Sequence, residues 1–430
     1  MNKLRGIALA AMAMGIGTLA TAEARATLAG SPAMIAWAGH YNAGQQPSGG
    51  PLCHNNPDIM PIARQFQSCQ SPVMTKTATG RYTVTVVQGA PFTSAAENGY
   101  QVFVQAIGTN AHCFEDSTTW QTSGNYTLTS KVRCVAPSAV DGDAVDVDSE
   151  WAWSYRVDNV VFPQDQDFPN SFAYARVSAS GSIVADQTFN PNTTHVVTSS
   201  KISTGRYSVV FKDLYANAQE PVFWADPGYL NNVIVQKTCA GDSATSCRRS
   251  VCIPYSWSPG HFVPSPTGNV LDSTLEVRCY GPDGAVRDTS FRAFAGDESH
   301  NSQMGYSDMY SSGWQYGWLN YVSSSSNVCH DPSDYLHRAQ HESATSGVFS
   351  EPMELCKTAT GRYNVNLLGG LSLYHADDLI PVVSSKATGG TYCNTHQVVF
   401  NTSGTDQLKV RCYTRTGAAV NASWNLSFYY

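Results

Sequence analysis

Lys76-Thr77-Ala78-Thr79-Gly80-Arg81-Tyr82 returns as Ser203-Thr204-Gly205-Arg206-Tyr207, and again as Lys357-Thr358-Ala359-Thr360-Gly361-Arg362-Tyr363. Downstream of each lies Val-Arg-Cys, at Val132-Arg133-Cys134, Val277-Arg278-Cys279 and Val410-Arg411-Cys412. Two motifs recurring in one order imply a single structural unit in three tandem copies. The segment after each Gly-Arg-Tyr alternates. Tyr82, Val84 and Val86 share a face opposite Arg81, Thr83 and Thr85. Tyr207, Val209, Phe211 and Tyr363, Val365, Leu367 repeat the pattern. Period two with one apolar face is a half-buried strand. The glycine before it suits a hairpin turn.

Further strands keep the same order. Leu275, Val277, Cys279 and Leu408, Val410, Cys412 alternate with charged neighbours. Upstream lie Val102–Gln105 and Val233–Gln236, with a weaker counterpart at Pro381–Val383. Each unit opens on an aromatic strand (Ile35–Ala38, Phe172–Ala175, Tyr316–Leu319) and closes on another (Trp151–Tyr155, Phe291–Phe294, Trp424–Phe428). No amphipathic helical pattern intervenes. The fold expected is all-β: three tandem, disulfide-stapled, antiparallel β-sandwich-like repeats over 27–156, 157–296 and 297–430, each of roughly 135 residues, an ordinary domain size. The third has a distinctive Tyr/Trp/His-rich N-terminal part.

The succession Trp-Ala, Gly-Arg-Tyr-x-Val, Cys, Val-Arg-Cys resembles a β-rich repeat of secreted bacterial proteins to which no activity is attached. It covers nearly all the chain after residue 24 and implies a secreted β architecture. It implies no functional residues.

Residues 1–24 have the pattern of a signal peptide. Lys3 and Arg5 precede the uncharged run Ile7 to Ala20, and Ala22-Glu23-Ala24 is a cleavage signal, with Ala24-Arg25-Ala26 as an alternative. No later apolar run is long enough for a membrane helix. A secreted, periplasmic or cell-surface location follows as the expectation. Twelve cysteines, an even number, suit an oxidising compartment. Repeat spacing pairs Cys113 with Cys134, Cys252 with Cys279, and Cys393 with Cys412. Cys239 and Cys247 then close an insertion in the second unit, and Cys53–Cys69 and Cys329–Cys356 complete the set. Loops of roughly 20 residues contribute on the order of 3 kcal/mol each in the chain-entropy model.

Charged residues make up 14% of the chain and the net charge is −7, which argues against nucleic acid as a partner, since phosphate binding needs a basic surface. No Gly-x-Ser-x-Gly elbow, phosphate loop or His-Glu-x-x-His occurs. Catalytic residues are therefore unknown from the sequence, and no resident cofactor is called for. Two ligand sets would suit a cation. Pro332 near the start, with Ser333 or Asp331 as cap, favours a short helix in which His337 and His341 share a face, with His330 or Glu342 as a third ligand; that spacing suits Zn²⁺. Asp141, Asp143, Asp146, Asp148 and Glu150 crowd one turn and offer oxygens to Ca²⁺, although without the EF-hand spacing; a solvated acidic turn is the simpler expectation. Recurring Arg81, Arg206 and Arg362 are expected to pair or stack locally.

Aromatics that recur (Trp37, Tyr174, Trp318; Trp120, Trp257, Phe400) suit the core. Tyr306, Tyr310, Trp314, Tyr316 and Tyr321 do not recur and lie among Gly, Ser and Asn. Such rings beside hydroxyl and amide groups suit stacking on a sugar polymer. The expected function is a secreted, non-enzymatic binding or structural protein engaging polysaccharide or a cell-envelope polymer through repeated β domains, with avidity from repetition. The alternative is a secreted hydrolase with its site in the unique part of the third repeat or between repeats.

Overall fold

The computed structural model describes residues 33–40, 48–51, 73–88, 100–121, 126–137, 145–157, 171–188, 197–212, 232–239, 245–258, 272–297, 315–321, 329–330, 338–343, 353–367, 380–399 and 406–429. These residues are all-β, apart from two short 3-10 turns at Ala185–Gln187 and Thr245–Arg249. Residues 1–24, Cys53 and Cys69 lie outside them.

Three four-stranded antiparallel sheets carry the recurring motifs. Each has a lead strand (Val73–Ala78, Val197–Ser203, Met353–Ala359), then the Gly-Arg-Tyr strand (Arg81–Gln88, Arg206–Phe211, Arg362–Leu367). The Val-Arg-Cys strand follows (Tyr126–Val135, Ser273–Tyr280, Asp406–Tyr413), and last comes a cysteine strand (His112–Gln121, Val251–Ser258, Tyr392–Val399). The register is shared: Tyr82 faces Val132, Tyr207 faces Val277 and Tyr363 faces Val410. In the third sheet Cys329–His330 adds to the outer edge of the lead strand.

A second sheet covers each of these. It runs from an edge strand (Tyr100–Ile107, Asn232–Lys237, Ile380–Ser385) to a closing strand (Glu150–Val157, Phe291–Asp297, Trp424–Tyr429) and on to an opening strand (Ala33–His40, Ser171–Val177, Gln315–Tyr321). Ser48–Pro51 extends the first and Arg338–Ser343 the third. The two sheets bury their apolar faces against each other, which is the arrangement of a sandwich. One aromatic contact crosses all three cores: Tyr82 on Trp151 at 5.2 Å, Tyr207 on Phe291 at 5.1 Å and Tyr363 on Trp424 at 5.6 Å. Trp120 and Trp257 pack partly buried against their cores; Phe400 lies outside the described residues.

The hairpin glycines are required by geometry. Gly80, Gly205 and Gly361 have φ of 64°, 63° and 64°. A Cβ on Gly80 would lie 2.6 Å from the Cys134 carbonyl oxygen, so substitution brings both strain and a clash. The acidic turn also has a structural role. Asp148 accepts hydrogen bonds from the Gly80 N–H at 2.9 Å, the Lys76 ammonium at 2.6 Å and the Tyr82 hydroxyl at 3.2 Å. Asp288 repeats the clasp on Gly205, Lys201 and Tyr207, and Asn421 keeps its contact with Gly361. These groups hold the hairpin to the segment before the closing strand, and Asp148, although exposed to solvent, is tied down by them. The Gly80 amide, the Lys76 ammonium and Tyr82 hold the Asp148 carboxyl below its ordinary value. Burial and the Asp148 charge push the Tyr82 hydroxyl up to about 12.

Disulfides join Cys113–Cys134, Cys252–Cys279, Cys393–Cys412, Cys329–Cys356 and Cys239–Cys247. The first four join residues directly opposite one another on neighbouring strands. Among the described residues no cysteine is free, and no helix is long and apolar enough to cross a membrane.

The sandwiches meet in a cycle. The cysteine strand of the third adds in parallel to the edge strand of the first, Thr395 against Ile107, which links two sheets into one of nine strands. The cysteine strand of the first meets the second in the same way, Glu115 against Thr238. Where the second meets the third, Pro254 takes the place of Glu115 and Thr395. Proline has no N–H to donate. Side chains make that contact instead: Val251, Ile253 and Tyr280 pack with Tyr392 and Tyr413.

Candidate functional site

The three edge strands converge where the sandwiches meet. An edge strand leaves backbone groups unpaired, and these must find partners when buried. Each is capped by a side chain of a neighbouring sandwich. Gln105 Oε1 accepts from the Val383 N–H at 3.0 Å, Ser384 Oγ from the Val235 N–H at 3.2 Å, and Gln236 Oε1 from the Val104 N–H at 3.1 Å. Gln105, Gln236 and Ser384 occupy the same register position in their strands, opposite Ala152, Arg292 and Asn425. The first sandwich thus caps the third, the third caps the second, and the second caps the first. Gln105 Nε2 also donates to the Cys393 carbonyl at 3.2 Å, and Asn425 Nδ2 to the Val233 carbonyl at 2.7 Å.

Beside this ring lies a cavity of about 40 Å³, lined by Gln105, Gln236, Ser384, His112, Lys237 and Tyr392 among others. That volume admits a few waters. Lys237 reaches it from a position held by Ala106 and Ser385 in the other edge strands. Its Nζ donates to the carbonyls of Cys247, at 3.0 Å, and Arg248, and sits 3.8 Å from the centre of the Phe114 ring. The Cys239–Cys247 insertion therefore supplies the acceptors that let a lysine be buried. Burial pushes the Lys237 ammonium well below an ordinary lysine, against the pull of Asp116. The His112 ring stacks on Tyr392 at 5.5 Å; burial and the Lys237 charge hold it well below the usual histidine range. The Tyr392 hydroxyl donates to the Asn110 carbonyl at 2.5 Å, and burial raises its pKa.

Glu115 and Arg292 form the buried ion pair of this junction, each side chain 2% exposed. Arg292 Nε donates to Oε2 at 2.6 Å and Nη2 to Oε1 at 2.8 Å; Nη2 also reaches Gln187 Oε1 at 2.6 Å. Burial would raise the Glu115 carboxyl, but the guanidinium outweighs it and the net direction is down. Among the described residues of the junction, no nucleophile is paired with a base. Lysine protons go to backbone carbonyls, the carboxylate to arginine, and the amides to strand edges. Such groups can fix three sandwiches in register and hold ordered water.

The outward faces of the motif strands hold cross-strand arginine pairs. Arg81 faces Arg133, Arg206 faces Arg278 and Arg362 faces Arg411. In the first sandwich Asp146 accepts from Arg81 Nε at 2.7 Å and Arg133 Nε at 2.6 Å. In the second, Glu276 accepts from Arg206 Nη2 at 3.0 Å and Arg278 Nε at 2.9 Å. Burial acts against both carboxyls, yet their arginines hold each below its ordinary value.

The residues expected to bind polymer or metal fare as follows. Tyr306, Tyr310, Trp314 and His337 lie outside the described residues. Tyr316 and Tyr321 fall on the third opening strand, between the closing strand and Arg338–Ser343, with Tyr321 opposite Trp424. His330 lies at the edge beside the lead strand, opposite Leu355, and His341 on Arg338–Ser343, opposite Gly317. The expected helix over His337–His341 is corrected: the backbone from Arg338 is a strand, drawn into extension by pairing with the opening strand. The described part of the segment, from Arg338 onward, therefore offers no helical face for His341. The carboxylates offered to Ca²⁺ divide as well. Asp146 and Asp148 are engaged by basic groups, and Asp141 and Asp143 lie outside the described residues. Cys329, Glu354 and Cys356 cluster as metal ligands would, but both sulfurs are joined in a disulfide.

The polar ring has a faint sequence signal, Gln105 and Gln236 at matching places in two apolar strands. The arginine acids had none, because Asp146 and Glu276 occupy different positions. No protein-family model, curated protein or solved structure matches the chain.

Proposed function

We propose that the protein is a secreted, non-enzymatic binding or structural protein that engages polysaccharide or a cell-envelope polymer. One observation carries this best: Gln105, Gln236 and Ser384 cap the strand edges of neighbouring sandwiches and Glu115 pairs with Arg292 across the junction, as in a rigid scaffold. Five disulfides support exposure to an oxidising compartment. The non-recurring aromatics of the third unit remain the proposed contact surface, since recurring Tyr82, Tyr207 and Tyr363 are core.

A glycan array run beside a broad hydrolase screen tests this on the whole protein. Retention on a polysaccharide without turnover is expected, weakened by Tyr310→Ala with Trp314→Ala. Turnover of any polymer or ester would instead establish the hydrolase.

A further inference from the structure

The arginine pair of the third sandwich lacks what neutralises the other two. In the first, Asp146 lies in an isolated bridge with Val135; the residue bridged to Tyr413 in the third is Ala419. In the second, Glu276 stands opposite Ser208; the third has Lys409 opposite Asn364. Both acid positions are thus neutral or basic. The bulge of each cysteine strand also differs. It presents Asp116 in the first sandwich and Tyr255 in the second, whose ring lies 3.0 Å under the Arg278 guanidinium; the third presents His396.

Arg362, Arg411, Lys409 and His396 consequently share one outward patch. Among the described residues none of them forms an ion pair. Lys409 Nζ donates to Gln397 Oε1 at 3.0 Å, and the Arg411 charge acts on the Tyr413 hydroxyl against the effect of burial. Of the described carboxylates on this face, Glu354 accepts from Asn366 Nδ2 at 2.8 Å. Asn366 is four residues along the strand from Arg362, roughly 13 Å away. His396 Nδ1 is buried with no hydrogen-bond partner. Burial, then Arg411 and Lys409, holds His396 below its ordinary pKa, as expected in a positive field. Like charges facing each other across a sheet are unfavourable. In two sandwiches an internal carboxylate removes that cost.

We propose that the third sandwich binds a tetrahedral oxyanion, a phosphate or sulfate group, between Arg362 and Arg411, with Lys409 and His396 at its rim. Each guanidinium fork matches two oxygens of such a group, and only a multi-oxygen anion engages both forks together. The anion replaces the carboxylate that Asp146 and Glu276 supply elsewhere. Free phosphate and a sulfate or phosphate ester on a polymer share this chemistry. The site stands whether or not the aromatic surface binds neutral glycan.

Titration calorimetry of the whole protein with inorganic phosphate and sulfate tests the site, with dextran sulfate and neutral dextran as further arms. Saturable phosphate or sulfate binding is expected, weakened at least ten-fold by Arg362→Gln with Arg411→Gln. Arg206→Gln with Arg278→Gln should leave it unchanged. Ala419→Asp, which keeps every arginine and restores the acid of the first sandwich, should abolish it. Dextran sulfate binding much tighter than sulfate, with neutral dextran inert, would place the anion on a polymer; equal affinity per sulfate would make it a free ion. Absence of oxyanion binding, or equal loss from the Arg206/Arg278 variant, or binding undiminished by Ala419→Asp, would overturn the proposal.

Discussion

The second and third sandwiches place arginine pairs at one register and surround them in opposite ways. Arg206 and Arg278 close on Glu276, and Tyr255 lies under one guanidinium. Arg362 and Arg411 face each other beside Lys409 and His396, with Ala419 where an acid could stand. Inward, the two sandwiches share three roles. Tyr207 and Tyr363 pack on an aromatic of the closing strand, Cys252 and Cys393 bond across to the Val-Arg-Cys strand, and Gly205 and Gly361 turn the hairpin. The difference teaches where to look for function in a chain built from like parts. Positions that match across the sandwiches hold the fold, and outward positions that differ are free to carry chemistry.

The sharpest break of this picture would come from the charge that has no freedom. Glu115→Ala strands Arg292 in the junction without its partner, and should cost about 3–5 kcal/mol in urea denaturation. A loss under about 1 kcal/mol would mean that water reaches the pair.

Acid should loosen the same junction. A histidine held below its unfolded pKa binds fewer protons folded than unfolded. His112 therefore contributes stability that is present above the unfolded value of 6.5 and lost as pH falls below it. The slope approaches about 1.4 kcal/mol per pH unit for one group, and His112→Phe should flatten it. The Glu115, Asp146 and Glu276 carboxyls, all held down, add their own loss only at lower pH, through the carboxylate range.

Glu276→Gln sharpens the arginine comparison directly. It removes the shared acceptor charge of a partly exposed pair, so a loss of about 1–2 kcal/mol is expected. The variant should also gain phosphate affinity, making the second sandwich resemble the third. Stability lost without any gain in phosphate binding would separate the two pairs for a reason other than charge. The smallest effect should come from Lys76→Ala. The Lys76–Asp148 bridge is 48% and 40% exposed, and such pairs contribute about 0–1 kcal/mol.

Much of each sandwich was legible because its signals are local. Alternation at Tyr82–Val86 places a strand face, and a strand face settles which cysteine can meet which: Cys113 and Cys134 stand opposite because both point inward. Relations between sandwiches were not legible. Gln105 serves the amide of Val383, and Glu115 pairs with Arg292, across separations of 278 and 177 residues. Nothing in the neighbourhood of either residue names that partner. The ion pairs of Asp146 and Asp148 were not legible because the sequence shows acids beside acids; Lys76 and Arg81 lie 72 and 65 residues upstream of their partners, and even Arg133, 13 residues before Asp146, sits on a separate strand. The helix expected at His337–His341 failed for the converse reason. Its propensity signals were local, and pairing with the opening strand overrode them.

Amide hydrogen exchange at Val104, Val235 and Val383 tests the closed three-part junction most directly. These amides sit on strand edges, where exchange is ordinarily fast, and only side chains of neighbouring sandwiches protect them. All three should exchange as slowly as the core amides of Val84 and Val209, and Gln105→Ala should release Val383 before the others. Fast exchange at any of the three in the unaltered protein would contradict the cycle and leave the sandwiches as separately tethered parts.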